Sequence, residues 1–282
     1  MRLKLNNLIP ILIAAPSVVI GVLAMYNSDV PTFFWAQNIA CFLLLGVISL
    51  VVIHRKSHRE NQKVYYWLTM ITVVLIILTL INKGMDGVHR WISIGGLRFN
   101  VAMIVLPGLI LLLWKLFQSV PEWIVMITTL VILVVLAIQP DASQLTAFAV
   151  PMMIMLYSKM DNKLLRLVIV GVSSVFIVYS WMNLDSLEPV NYVEGIVGLL
   201  KNMGMCWIVL GVISLIILPL PFLLSAPKRD ELASVCVGMY FIITLVSTCF
   251  GNFPVPLMGY GISPIIGYMI AITWYAKEKV NS

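Results

Sequence analysis

Charge is what this sequence has least of. Asp, Glu, Lys and Arg make up 11% of the 282 residues, against 61% apolar, and the mean hydropathy is +1.02. The few charges gather in short clusters between long apolar runs, so no segment is polar and long enough to form a water-soluble domain. Cysteine is sparse too. Cys41, Cys206, Cys236 and Cys249 are dispersed, with no CxxC pair and no neighbouring histidine, which excludes a disulfide scaffold. The three histidines, His54, His58 and His89, form no ligand set, and no metal site is readable. There is no Walker phosphate loop, no HExxH and no GxSxG, so the usual sequence support for ATP-driven transport and for the familiar hydrolases is missing. No apolar span carries an ionisable group at mid-depth, which withholds the main signature of a proton- or ion-coupled transporter.

What is present is a polytopic membrane protein. Apolar runs cover residues 8–26, 33–53, 64–81, 101–117, 123–138, 145–157, 167–182, 205–224, 232–250 and 265–276, most of them near the ~20 residues a helix needs to cross hydrocarbon. The sixth and tenth are short and follow Pro-containing loops of low charge. The expected fold is therefore all-α, with about ten transmembrane helices in a single integral membrane domain, 1–282. The first run follows a short basic stretch, but no small-residue cleavage site follows it, and it is kept as helix one.

Ten spans return both termini to one side, and the basic residues test that count. Arg2, Lys4, Arg55, Lys56, Arg59, Lys63, Lys115, Lys159, Lys163, Arg166, Lys228, Arg229, Lys277 and Lys279 fall on one side, fourteen of the eighteen. Only Lys83, Arg90, Arg98 and Lys201 fall on the other. The termini are accordingly assigned to the cytoplasm, and the net charge of +6 is explained without a nucleic-acid partner. The outward loops hold Asp29, Asp86, Asp141, Asp185, Glu188 and Glu194, so recognition is expected at the outer interface.

Three outward segments carry chemistry. Residues 86–98 (DGVHRWISIGGLR) set Arg90 and Arg98 around a Gly pair, two guanidiniums suited to phosphate oxygens, with Trp91 as a belt aromatic. Snorkelling to lipid headgroups is the plainer reading of both arginines. Gln139-Pro140-Asp141 places a turn and a carboxylate at a helix exit, where Asp141 is equally suited to capping the next helix. Residues 251–264 (GNFPVPLMGYGISP) are too rich in Pro and Gly for a lipid-facing helix and suggest irregular backbone lining a cavity, or a plain helix break.

These segments, in this order, resemble the SEDS family (shape, elongation, division and sporulation) that includes FtsW, RodA and SpoVE. Residues 86–95 fit the family's NGA-x-RWI-x-LG, Gln139-Pro140-Asp141 fits its QPD, and Pro256, Tyr260, Gly261 and Ser263 fit its last-loop TG-x-x-LP-x-x-SYGGSS, from which Gly259 and Ile262 differ. The resemblance implies a glycosyltransferase of the bacterial cytoplasmic membrane that polymerises lipid II at the outer face, in partnership with a class B penicillin-binding protein. It makes Arg90, Trp91, Arg98, Gln139, Tyr260 and Ser263 substrate-binding candidates. No cofactor is evident; a divalent cation is left open, with no site to assign it.

Two departures touch that chemistry. The family continues QPSE-x-x-K where this chain has Asn100-Val101-Ala102-Met103-Ile104-Val105-Leu106, so an acid and a base are replaced by apolar residues. The outer loop that carries the family's essential Asp, in HTDFIFA-x-x-x-EELG, is shortened here to about 183–204, and alignment puts Val193 at the Asp position with Glu194 beside it. Glu194 and Asp141 are the candidate acid–base groups, with Asp185 or Glu188 able to swing in from the shortened loop, and Glu194 having also the plain role of an interfacial acid near the start of an amphipathic stretch, 192–203. The alternatives are an inactive relative that binds a lipid-linked precursor or scaffolds a partner and, third, a precursor transporter.

Overall fold

The computed structural model describes residues 9–55 and 61–281; Arg2, Lys4, Lys56, His58 and Arg59 lie outside them. A helix occupies each expected span, but the eighth, 205–224, breaks after Ile216 and resumes only as the short helix Leu220–Leu224, because Pro219 and Pro221 lack the N–H that would continue it: α1 (Ile9–Asn27, loosened at Ile13 and Ala14), α2 (Thr32–His54), α3 (Gln62–Ile81), α4 (Val101–Phe117), α5 (Glu122–Ile138), α6 (Ala142–Lys159), α7 (Lys163–Met182), α8 (Met205–Ile216), α9 (Glu231–Ser247) and α10 (Ile262–Asn281). In hydrocarbon only a helix satisfies every backbone polar group within one segment, which is why unbroken apolar runs read so directly. Capping residues set several starts. Side-chain oxygens of Asn61, Asn100, Asp141 and Asn162 accept from N–H groups in the first turns of α3, α4, α6 and α7. The sixth and tenth helices are longer than their apolar cores, because α6 is capped directly at Asp141 and α10 runs on through the polar end Lys277–Lys279.

Large apolar side chains stand exposed in helical stripes, such as Leu43, Leu44, Val47, Ile48 and Val51 on α2 and Trp67, Met70, Ile71 and Val74 on α3. On a multi-pass membrane protein such stripes are lipid faces.

The chain divides into two compact units. The first comprises residues 1–56, 188–234 and 245–282. In it α2 packs along α10 and against α1, and α8 packs on α1. Buried polar contacts tie these helices: Ser17 Oγ donates to the Ser214 carbonyl at 2.8 Å, and Thr273 Oγ1 to Ser49 Oγ at 2.6 Å. The second comprises residues 57–187 and 235–244. There α4 packs against α3, α5 and α6, and α6 also packs against α5 and α7, with Leu106, Leu109, Ile110 and Leu113 of α4 fully buried.

The loop between α3 and α4 contains the structure's two strands, β1 (Trp91–Ile94) and β2 (Leu97–Asn100), paired antiparallel with Ile94 opposite Leu97. Gly95 and Gly96 form the two-residue turn, both at positive φ (57° and 84°), the requirement of the tight hairpin turn that matches strand twist. A second tight turn at Asp86-Gly87 joins Met85 and Val88, whose backbones exchange hydrogen bonds of 3.0 and 2.8 Å.

Candidate functional site

In the second unit two carboxylates, Asp141 and Asp185, converge on Arg90. This residue immediately precedes β1 and is 4% exposed. Its Nη2 donates to Asp185 Oδ2 and to the Pro140 carbonyl (3.4 Å), and its Nε lies 3.9 Å from Asp141 Oδ2. One guanidinium thereby joins the hairpin, the Gln139-Pro140-Asp141 turn and the segment that leaves α7. A long residue with five donors in a rigid fork suits that task, where a lysine would supply one point charge.

Asp141 is 1% exposed, and its two oxygens have different work. Oδ1 accepts from the Gln144 N–H at 3.2 Å, capping α6, while Oδ2 faces Arg90 and the Asn100 amide, 3.5 Å away. Asn100 in turn caps α4 through its oxygen, accepting from the Met103 N–H at 3.1 Å. Two helix starts are thus locked to one buried carboxylate. The polar chain continues inward: Tyr240 Oη donates to Gln144 Oε1 at 2.5 Å. Gln139 is also buried, its amide donating to the Ile76 carbonyl (3.2 Å) and to Thr79 Oγ1 (2.5 Å) at the end of α3.

Asp185 is the more open carboxylate, with a side chain 12% exposed. Its Oδ1 accepts from the Leu187 N–H at 3.1 Å, closing a turn that aims Oδ2 at Arg90. Summed over Arg90, Asp141 and Asp185, the cluster carries one negative charge in excess. Arg90 Nε, Gln139 Oε1, Ser143 Oγ, Gln144 Nε2 and Ser180 Oγ are buried with no hydrogen-bond partner among the described residues. Buried polar atoms are nearly always satisfied, and ordered water is the ordinary partner for such atoms.

Sequence reasoning had placed Arg90, Trp91, Gln139 and Asp141 among the candidates, and the structure brings Arg90 to Asp141, with the guanidinium 5.1 Å above the Trp91 ring. Arg98 takes no part in this cluster; it stands exposed on β2 with Nη1 against the Met85 sulfur at 2.6 Å. Asn100, Gln144 and Tyr240 are not among the sequence candidates, and Asp185 is there only as a loop acid able to swing in. The spacing from Asn100 to Met103 and from Asp141 to Gln144 is a capping signature; nothing local announces the Tyr240 contact, which spans 96 residues.

Glu194, Tyr260 and Ser263 belong to the first unit. The Glu194 carboxylate accepts from the Val190 N–H at 2.8 Å, closing the turn before the short helix Ile196–Leu199. Tyr260 packs edge-on against Phe34 (centroids 4.8 Å apart) and donates its backbone N–H to the Tyr192 carbonyl at 2.8 Å. Ser263 is buried in the first turn of α10. The Pro- and Gly-rich segment 251–261 is held from α2 by Asn38, which is fully buried, donates to the Gly259 carbonyl (3.0 Å) and accepts from the Gly261 N–H (3.2 Å). Asn38→Ala strands both backbone groups, at about 1–3 kcal/mol each. A clear loss of thermal stability in detergent is expected; an unchanged midpoint would mean that the segment is held otherwise.

The sequence model of FtsW/RodA/SpoVE, described as cell cycle protein, matches residues 2–192 of the 282. The chain belongs to this family. Solved structures agree on the fold of this family member. The crystal structure of the Thermus thermophilus rod shape determining protein RodA is 18% identical, with a TM-score of 0.64, covering 96% of this chain and 95% of that one. A point mutant of the same protein matches at 17% identity and 0.64, and a chain from a structure of a peptidoglycan synthase complex at 17% and 0.63, covering 96% of this chain and 97% of its own. Among curated proteins no sequence gives a significant match. As a divergent member, the chain keeps RWI and QPD at the Arg90 cluster while α4 carries buried Met103 and Leu106 in place of the acid and base expected by resemblance.

Proposed function

We propose that this protein is a peptidoglycan glycosyltransferase of the bacterial cytoplasmic membrane, polymerising lipid II at the outer face, and that Asp185 is its acid–base group. The observation that carries the reading is the grip of Arg90 on Asp185: a partly open carboxylate, in the loop where the family places its essential Asp, fixed by the arginine of the RWI motif. Neither earlier candidate is as well placed. Asp141 is occupied as a cap and as the buried counter-charge of Arg90, and Glu194 closes a local turn.

In such a reaction the acceptor sugar's hydroxyl loses its proton to the carboxylate as its oxygen attacks the donor's anomeric carbon. The bond to the pyrophosphate breaks, and the leaving lipid carries away the electron pair. Asp185 would take the proton; Arg90 would aim it. The likeness to a chain of a peptidoglycan synthase complex that coordinates polymerization with crosslinking supports a class B penicillin-binding protein as partner.

The test is a glycan-chain ladder from the purified protein with fluorescent lipid II, with and without the cognate penicillin-binding protein. Asp185→Asn, which keeps size and removes basicity, should cut chain formation by about 10²–10⁴-fold at unchanged abundance, while Glu194→Ala leaves the ladder in place. A ladder untouched by Asp185→Asn sinks the assignment.

A second reading has its own observation. Arg90 is fully compensated by carboxylates and α4 lacks an acid–base pair, which favours a relative that binds a lipid-linked precursor without reacting it. Lipid II retention without any ladder, under conditions where a conventional family member makes one, would select it.

A further inference from the structure

The Arg90 cluster has a negative surplus, so it offers no net attraction to a phosphate. The cations without a carboxylate partner lie elsewhere on the same unit. A pocket of about 190 Å³ opens between the end of α3 and the hairpin, lined by Asn82, Lys83, Gly84, Met85, Trp91, Ser93 and Arg98. Lys83, Ser93 and Arg98 are exposed, and among the described residues neither cation is in an ion pair. Its walls are set by the backbone. Asn82 Nδ2 donates to the Trp91 carbonyl at 3.2 Å, the Asn82 carbonyl meets His89 Nδ1 at 2.8 Å, and a side chain at Gly84 would run into the Val88 carbonyl, 2.6 Å from where its Cβ would sit.

The volume is below the ~300–1,000 Å³ of a pocket that encloses a whole small molecule, and so fits a headgroup rather than an entire substrate. Two further features point to a lipid. Ile81 (78% exposed) and Ile94 (65% exposed), at the end of α3 and beside the hairpin turn, stand as bare apolar residues next to paired cations, the combination that seats a loop in the headgroup layer. Trp91, half-buried in the lining, is a residue type favoured at that depth.

We propose that this pocket is an anion site for a lipid-borne phosphate, with Lys83 and Arg98 as the charge partners, Ser93 as a hydroxyl donor and Trp91 as the wall. The site is separate from the Arg90–Asp185 pair and does not depend on whether that pair is catalytic. A phosphate held here is either the headgroup of an acidic phospholipid or the pyrophosphate of a polyprenyl carrier.

The purified full-length protein is delipidated in detergent and supplied in turn with phosphatidylglycerol, phosphatidylcholine, undecaprenyl pyrophosphate and inorganic phosphate. Bound lipid is read by native mass spectrometry and by thermal shift, so no turnover is needed. The wild-type protein should retain phosphatidylglycerol or the carrier pyrophosphate in preference to phosphatidylcholine. Each cation removed should weaken retention about fivefold and Lys83→Ala/Arg98→Ala together about 25-fold, with raised salt reproducing part of the loss. Lys201→Ala, on the other unit, should change nothing. Loss of phosphatidylglycerol alone identifies a phospholipid site, and loss of the pyrophosphate alone a carrier site. Equal retention by the wild type and a folded double variant overturns the proposal, as does protection by inorganic phosphate equal to that by the lipids.

Discussion

Arg90→Ala should lower the stability of the purified protein by about 3–5 kcal/mol and, on the proposed function, abolish polymerisation with it. The change leaves Asp141 buried without its counter-charge, and removing one partner of a buried pair costs far more than the pair contributes. Asp185 loses the group that aims it at the same time. Arg90→Lys keeps the charge and loses the fork, so it should restore part of the stability and little of the activity. Asp141→Asn in the Arg90→Ala background removes the stranded charge; the double variant should be more stable than Arg90→Ala alone, a coupling that two independent sites would not show. Thermal midpoints of these proteins and of Asp141→Asn alone, in one detergent, decide the matter. If Arg90→Ala melts with the wild type, the guanidinium does not hold these carboxylates.

The spans were legible because hydrocarbon leaves the backbone one solution. A run such as 33–53, long and almost wholly apolar, has to be a helix, and Thr32–His54 is one. The capping role of Asp141 was legible from its place after a Pro turn. Less was legible where the chain leaves the helices. The hairpin 91–100 follows from WISI-GG-LRFN, two four-residue runs around a Gly pair, and it leaves Arg90 ahead of the first strand while carrying Arg98 on the second. Arg90 sits before the first strand and is buried, whereas Arg98 lies on an exposed strand position, so two like residues have opposite surroundings. The partner of Arg90 was harder still. Asp185 is 95 residues away, and alignment to the family's longer loop points to Glu194, because shortening a loop moves the place from which a carboxylate reaches the same arginine.

Gly21→Ala should be among the most damaging small substitutions in the first unit, although it adds one methyl group to a helix where alanine is ordinarily favoured. Gly21 faces the Met258 carbonyl, and a Cβ there would overlap backbone O, C and Cα of that residue. Backbone cannot rotate away as a side chain can. Met258 is also in a segment pinned just after it: the Gly259 carbonyl and the Gly261 N–H are held by Asn38, and the Tyr260 N–H by the Tyr192 carbonyl. The expected cost is therefore at the upper end of overpacking, about 3 kcal/mol or more. Gly46→Ala supplies the contrast. Gly46 is also mid-helix, on α2, and its added Cβ meets nothing within 4 Å, so the helix preference of alanine should act alone and stabilise by about 0.5–1 kcal/mol. Opposite shifts in thermal midpoint from the same chemical change would establish that α1 and the Pro- and Gly-rich segment touch backbone to backbone; parallel shifts would mean that α1 approaches that segment less closely.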